Sequence, residues 1–413
     1  MRRNSRLRPL VALVAAASLA ACSPGSEQEP DCCTLTVQAT VAEDLGTVYL
    51  SGNIDALGPW RPDGLALQGE GAVRSVTVEV PKGTELEYKF TLGTWDREAL
   101  GPSGTVMPNF KLTVSEDTEV SHTLDRWKKD PREYMADWQG SGVQGTLVYW
   151  PDVPSEFLDL SRHIVIWLPP GYDAERERGY PVLYMHDGQN LFDARMGGSN
   201  GNIWDVDDAV LGLVEQGVIP EIIVVGAFNT ADRMWEYSPW HRAPDYARFL
   251  IEELMPRVND EFNTATGPEN TGVMGSSMGG LASYYLVTNH PDVFGSCGCV
   301  SSHFPFNEAV LERFTGVKPE GPAADTPFIV RDIEAGLTFP KGARYWFDYG
   351  TEGLDGSYGP PHDALRQAFL DQGWIEGENF VIREYAGADH NEASWRDRLD
   401  DPLTFMFGPT DDR

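Results

Sequence analysis

Asn270-Thr271-Gly272-Val273-Met274-Gly275-Ser276-Ser277-Met278-Gly279 is an apolar strand pattern that runs through Gly-x-Ser-x-Gly into a helical pattern ending near Asn289. The spacing has steric content. Glycines two before and two after Ser277 permit a sharp strand-to-helix turn that lifts the hydroxyl above the sheet. The helix start adds unbonded N–H groups and a positive dipole end, both suited to a developing oxyanion. Ser276 lacks the symmetric glycines. A five-residue match is common by chance, so its weight comes from the strand before it and the helix after it.

Outward from this turn, strand and helix patterns alternate. Before it stand Gly-Thr-Leu-Val-Tyr-Trp (145–150), His-Ile-Val-Ile-Trp-Leu-Pro-Pro (163–170), Pro-Val-Leu-Tyr-Met-His-Asp (181–187), a helix about Val206 to Glu215, Glu-Ile-Ile-Val-Val-Gly-Ala-Phe (221–228) and a helix about Asp245 to Asn259. After it come Gly-Ser-Cys-Gly-Cys-Val-Ser-Ser (295–302), Arg-Tyr-Trp-Phe-Asp-Tyr-Gly (344–350), a helix about His362 to Asp371 and Asn-Phe-Val-Ile-Arg-Glu-Tyr-Ala-Gly (379–387). Such alternation implies βαβ units and a mostly parallel sheet covered on both faces.

A serine hydroxyl needs a base to become a nucleophile, and in α/β-hydrolases the chain order is Ser, acid, His. The histidines after Ser277 are His290, His303, His362 and His390. His290 sits in Asn-His-Pro at a helix end, His303 closely follows a strand, and His362 starts a helix. His390 lies in Ala386-Gly387-Ala388-Asp389-His390-Asn391, a small-residue loop after the last strand, and is the candidate base. The acid belongs after the penultimate strand, where Gly350-Thr351-Glu352-Gly353-Leu354-Asp355 offers two carboxylates. Asp355 is favoured and Glu352 is the alternative, with Asp348 assigned to the strand itself. The loop His186-Asp187-Gly188-Gln189-Asn190 stands where this fold donates a second oxyanion N–H, so the amides of Gly188, Gln189 and Met278 form the expected hole. His186 has no second histidine at ligand spacing and is read as a loop scaffold. No metal and no cofactor is expected.

His-Asp-Gly-Gln-Asn-Leu-Phe-Asp (186–193), Arg-Met-Trp-Glu-Tyr-Ser-Pro (233–239), Gly-Ser-Ser-Met-Gly-Gly (275–280), the 350–355 loop and Gly-Ala-Asp-His-Asn-Glu-Ala-Ser-Trp (387–395) together resemble one esterase family. It includes feruloyl and acetylxylan esterases, enterochelin esterases and mycolyltransferases. The resemblance covers roughly 145–408 and implies an α/β-hydrolase acting on carboxylic esters. The acid loop is longer than the Gly-Thr-Asn-Asp of many relatives, which leaves Asp355 and Glu352 both in play.

The region 32–125 has another pattern. Thr-Leu-Thr-Val-Gln-Ala-Thr-Val (34–41), Thr-Val-Tyr-Leu-Ser-Gly (47–52), Ser-Val-Thr-Val-Glu-Val-Pro (75–81), Leu-Glu-Tyr-Lys-Phe-Thr-Leu (86–92) and Phe-Lys-Leu-Thr-Val (110–114) alternate between turn residues. They predict an antiparallel β-sandwich. Val48-Tyr49-Leu50-Ser51-Gly52-Asn53, Leu57-Gly58-Pro59-Trp60 and Glu87-Tyr88-Lys89-Phe90 resemble a family 20 starch-binding module. That resemblance implies a glucan platform of Trp60, Lys89 and Trp95, with Asn109 a polar contact. Aromatic faces cover sugar C–H faces while polar neighbours fix hydroxyls. The charged, Pro- and Gly-containing stretch 126–144 reads as a linker.

At the N-terminus, Arg2, Arg3, Arg6 and Arg8 precede an Ala-rich apolar run that is too short to span a bilayer, which takes about 20 residues. Leu19-Ala20-Ala21-Cys22 resembles a bacterial lipobox. It implies a signal peptide over 1–22, lipid attachment at Cys22, a polar tether over 23–31 and, with Ser23 next, an exported protein held at the outer membrane or cell surface. The remaining cysteines, Cys32, Cys33, Cys297 and Cys299, are read as structural or free thiols. With 63 acidic against 32 basic residues and a formal charge of -31, the chain repels phosphate backbones, which argues against nucleic acid as a partner. The leading expectation is a serine esterase acting on an ester-decorated carbohydrate. Two others compete: acyl transfer to a sugar acceptor by the same fold, and a surface glucan-binding lipoprotein with an inactive esterase domain.

Overall fold

Alternation along the first strands directs one face inward. In the computed structural model, which describes residues 32–42, 45–102, 104, 106–197, 202–315 and 325–409, Leu35, Val37 and Ala39 of strand Cys32–Thr40 are buried, whereas Thr36 and Gln38 between them are not. That strand lies between Val73–Pro81, antiparallel to it, and Thr118–Thr123, parallel to it. A second sheet has the order Leu65–Ala66, Tyr49–Gly52, Thr84–Thr91, Phe110–Val114, with all neighbours antiparallel. Leu35, Leu50, Val80, Leu86 and Phe90 pack in one apolar core. The expected sandwich is present, with one parallel pairing added. Its strand, Thr118–Thr123, carries little apolar alternation and gave no signal.

The 126–144 stretch is an ordered bridge. Arg126–Trp127 pairs with Ala99–Leu100. The Asp130 carboxylate accepts the Arg132 amide at 3.0 Å and caps helix Pro131–Met135, in which Pro131 supplies the preset φ of a first helical position. Met135 is buried in the core of the second domain.

Eight strands form the second domain: β1 Thr146–Val153, β2 Arg162–Leu168, β3 Val182–His186, β4 Ile223–Ala227, β5 Thr271–Ser276, β6 Ser296–Val300, β7 Arg344–Gly350 and β8 Phe380–Tyr385. Their spatial order is β1-β2-β4-β3-β5-β6-β7-β8. Strand β2 runs against both neighbours, and every pairing from β4 to β8 is parallel. All residues of β3 to β6 are buried, the pattern of central parallel strands covered on both faces. The alternate residues divide between two cores. Tyr184, Val225 and Val273 meet Tyr246, Leu281 and Phe369 of the helices on one face, and Met185, Val224 and Met274 meet Val210, Leu403 and Met406 on the other. The helix expected about Asp245 to Asn259 occupies 243–261 and contains a π-helical stretch, Phe249–Leu254. Helices Glu308–Thr315, Phe328–Glu334 and Asp400–Phe407, and the short helices Arg233–Glu236 and Glu392–Arg396, are not anticipated from the sequence.

Candidate active site

Ser277 stands between β5 and helix Met278–Asn289 with φ 58° and ψ −121°, a conformation a non-glycine residue holds only where its surroundings force it. The flanking glycines show what forces it. A Cβ on Gly275 would lie 2.9 Å from the Gly279 carbonyl carbon and 2.9 Å from the His186 ring. The Ser277 amide donates to the Val300 carbonyl at 3.0 Å, and its carbonyl accepts from the His303 amide at 3.2 Å. We expect Gly275→Ala to destabilise the protein by about 1–3 kcal/mol through overpacking. Thermal melting would read this as a Tm several degrees lower, and an unchanged Tm would contradict the steric account.

The 387–395 loop brings His390 to the same cleft as Ser277. His390 Nδ1 lies 2.6 Å from Asp355 Oδ1, which leaves Nε2 as the ring nitrogen available to a group in the cleft. Asp355 is 1% exposed and accepts two further hydrogen bonds at Oδ2, from Ser301 Oγ at 2.5 Å and from the Gly350 amide at 2.7 Å. Burial pushes its carboxyl up, but the bonds from His390, Ser301 and Gly350 outweigh burial and hold it below its ordinary value. Of the two carboxylates left open by the sequence, Asp355 meets the imidazole. Glu352 is an exposed loop residue.

Behind this pair is a buried network with no sequence signature. Arg398 donates to Ser301 Oγ at 2.7 Å and to Asp348 Oδ1 at 2.9 Å, and the Trp395 indole N–H reaches Ser301 Oγ at 3.1 Å. Asp348 therefore anchors Arg398, and Ser301 transmits that order to Asp355. Tyr358, whose hydroxyl lies 2.5 Å from His303 Nδ1, also meets Ser277. The other histidines are ordinary core or surface groups. Burial pushes His303 down to about 3 and His362 down to about 4, and the half-buried His290 falls below its usual value for the same reason. His186, the last residue of β3, is likewise held at about 3 by burial, with Nδ1 2.9 Å from the Tyr246 hydroxyl.

The oxyanion candidates lie on two elements. Met278 is the first residue of its helix, a position whose N–H has no intrahelical acceptor. Gly188 and Gln189 belong to the turn Gly188–Asn190 after β3. A Cβ on Gly188 would lie 2.7 Å from the Gly226 carbonyl group, so only glycine lets this turn settle onto β4. Next to it, Asp187 adopts φ 58° and binds Arg233 through Nε at 2.8 Å and a terminal nitrogen at 2.7 Å, with Asn229 donating at 2.6 Å. This bidentate pair fixes one wall of the cleft. Its two halves are far apart in sequence, which hid it.

The cleft measures about 750 Å³, within the range of small-molecule sites. Trp60 and Trp95 of the sandwich line it together with Ser277, His390, Trp235 and Trp395. The other two carbohydrate candidates are differently placed. Lys89 lines an adjoining 580 Å³ cleft, with its ammonium 2.5 Å from Glu98, a carboxylate it shares with Lys128. Asn109 lines neither of these clefts and donates to Glu87 at 2.9 Å. The expected four-residue platform is thus divided: carboxylates of the sandwich engage its two polar members, and only the tryptophans face the main cleft.

Among the described residues Cys33, Cys297 and Cys299 are buried free thiols. Among the described residues there is no cluster of three or more His, Cys, Asp or Glu able to hold a metal, and no helix long and apolar enough to cross a membrane. Cys22, the signal segment 1–22 and the tether 23–31 lie outside the described residues.

Strand order, the strained serine turn and the pairing of His390 with buried Asp355 define an α/β-hydrolase-fold protein. The chain belongs to the family described as Putative esterase, whose family model matches residues 155–406, and the Starch binding domain model matches residues 33–124. It is 32% identical over 231 residues to an endo-1,4-beta-xylanase/feruloyl esterase of Xylanibacter ruminicola, covering 51% of this chain and 30% of that one. It is 25% identical over 179 residues to the uncharacterized protein YbbA of Bacillus subtilis, covering 40% of this chain and 66% of that one. The matches therefore span less than two thirds of either relative. Among solved structures, the enterobactin esterase FES of Shigella flexneri aligns with TM-score 0.49 and 16% identity over 88% of each chain.

Proposed function

We propose that this protein hydrolyses carboxylic esters of carbohydrates through an acyl-enzyme on Ser277. The observation that carries this reading is the 2.6 Å contact of His390 with buried Asp355, in a cleft that Ser277 also lines. His390 Nε2 takes the Ser277 proton as Oγ bonds to the ester carbonyl carbon. The oxyanion is held by the Met278 amide and those of Gly188 and Gln189. The tetrahedral intermediate collapses, the alcohol leaves with the proton from the imidazolium, and Ser277 retains the acyl group. Water, deprotonated by His390, then releases the acid and restores the serine. Asp355 keeps the proton of the neutral imidazole on Nδ1 and offsets the charge that develops. These steps require no cofactor.

Membership of the esterase family, the starch-binding domain and the feruloyl esterase relative support a carbohydrate ester as substrate. The direct test is inactivation by a fluorophosphonate while hydrolysis of p-nitrophenyl acetate and methyl ferulate is followed. One equivalent should abolish turnover and label the peptide containing Ser277. Labelling elsewhere, or turnover surviving full labelling, would refute the mechanism.

Export with lipid attachment at Cys22 completes the proposal. Cys22→Ser should abolish palmitate labelling and move the protein from the membrane fraction to the soluble one. Retention of the variant in the membrane fraction would contradict it.

A further inference from the structure

Trp60 and Trp95 belong to the sandwich, yet they line the same cleft as Ser277 and His390. Trp60 is held there by its own turn. It adopts φ 49°, its amide donates to the Gly52 carbonyl at 2.9 Å, and Gly58 two residues earlier has φ 65° against Gly64, with no room for a Cβ. Trp95 follows Gly93 on the short 3-10 turn Trp95–Arg97. Both indoles are half-buried, and the esterase side of the cleft meets them with Trp235 and the Asp187–Arg233 pair.

From this juxtaposition we infer that the two tryptophans form the sugar subsite of the catalytic cleft itself, where the glucosyl unit that bears the ester is stacked while its acyl carbonyl lies at Ser277. The inference rests on the esterase reading above and specifies the alcohol half of the substrate as an α-glucan chain. Aromatic faces cover the C–H faces of a hexose, and the Asp187–Arg233 pair and Asn229 supply polar groups for its hydroxyls. The adjoining 580 Å³ cleft shares Trp95, Pro62 and Asn229 with the first and is lined by Lys89 and Lys128, so it offers the continuing chain a path beyond the ester-bearing unit. A module that only tethers the enzyme to a polysaccharide would bind on a surface of its own and leave the reaction of a soluble ester untouched. A shared cleft has the opposite consequence: an unesterified glucan must exclude the ester.

The experiment is inhibition of p-nitrophenyl acetate hydrolysis by maltoheptaose, with the full chain as wild type and as Trp60→Ala, Trp95→Ala and the milder Trp60→Phe and Trp95→Phe. Competitive inhibition is expected, with an inhibition constant raised roughly tenfold or more by either alanine variant, as for loss of a buried aromatic anchor, and less by phenylalanine. Each constant is referred to the same variant's own uninhibited rate and melting temperature, so a folding defect is separated from loss of the subsite. Absent or noncompetitive inhibition, or competition indifferent to all four substitutions, overturns the inference while the wild type's turnover leaves the esterase reading standing. No turnover of any ester by the wild type overturns both.

Discussion

Ser277→Ala should lower kcat/KM for p-nitrophenyl acetate by about 10⁴- to 10⁶-fold, and His390→Ala by a comparable factor. The two losses should not add. In the proposed mechanism the hydroxyl is reactive only because the imidazole removes its proton, and the imidazole has no other task in that step. Once either is gone, removal of the other changes little. The double variant should therefore fall within about tenfold of Ser277→Ala. The residual rate should still exceed that of the uncatalysed ester, because the Met278 and Gly188–Gln189 amides remain in place. Folding is not at stake. The Ser277 backbone is held by amide and carbonyl bonds to Val300 and His303, which alanine retains. Steady-state kinetics on the single and double variants, with melting curves beside them, provide the check. Losses that multiplied in the double variant would mean that the two residues act independently, and the acyl-enzyme scheme would be wrong.

Why Ser277 was legible in sequence and other parts of the site were not is a matter of range. The small residues the serine turn needs lie within five positions of the chain and between two recognisable elements, although His186, Val300 and His303 complete its surroundings. His390 followed from chain order and from a small-residue loop after the last strand. The central strands were legible because each is a continuous apolar run. Asp355 and Glu352 could not be separated, because the choice depends on partners from elsewhere: Ser301 after β6, Gly350 at the end of β7, and a turn in which Gly353 at φ 56° presses against Asp389. The carboxylates that occupy Lys89 and Asn109 are not specified by the platform residues themselves. Residues 126–144 have a linker's composition but bury Met135, and burial is a property of the neighbour as much as of the segment. Most distant of all is the arrangement of Trp60 and Trp95 beside Ser277. Two domains read separately from sequence carry no information about which of their faces meet.

Asp355→Asn isolates the contribution of one proton's position. The carboxylate accepts at both oxygens: His390 at Oδ1, Ser301 and the Gly350 amide at Oδ2. An asparagine can keep its carbonyl oxygen toward Ser301 and Gly350 only by turning its NH₂ toward His390. Nδ1 must then accept, the imidazole proton moves to Nε2, and the nitrogen meant to take the serine's proton is already occupied. Turning the amide the other way opposes NH₂ to the Gly350 N–H and strands a buried donor. Either way kcat should fall by about 10³- to 10⁴-fold with KM little changed. Glu352→Gln, in the same loop but exposed, should change kcat by no more than about twofold. There is also a signature in stability. Because the hydrogen bonds outweigh burial and hold Asp355 below its ordinary 3.8, the ionised group stabilises the fold above that pH, and the contribution is lost as pH falls through the lower folded-state value. The melting-temperature gap between wild type and Asp355→Asn should accordingly be full at neutral pH and shrink on acidification. A larger kinetic loss from Glu352→Gln than from Asp355→Asn would reverse the assignment of the acid. Equal, small losses from both would mean that His390 needs no carboxylate to act.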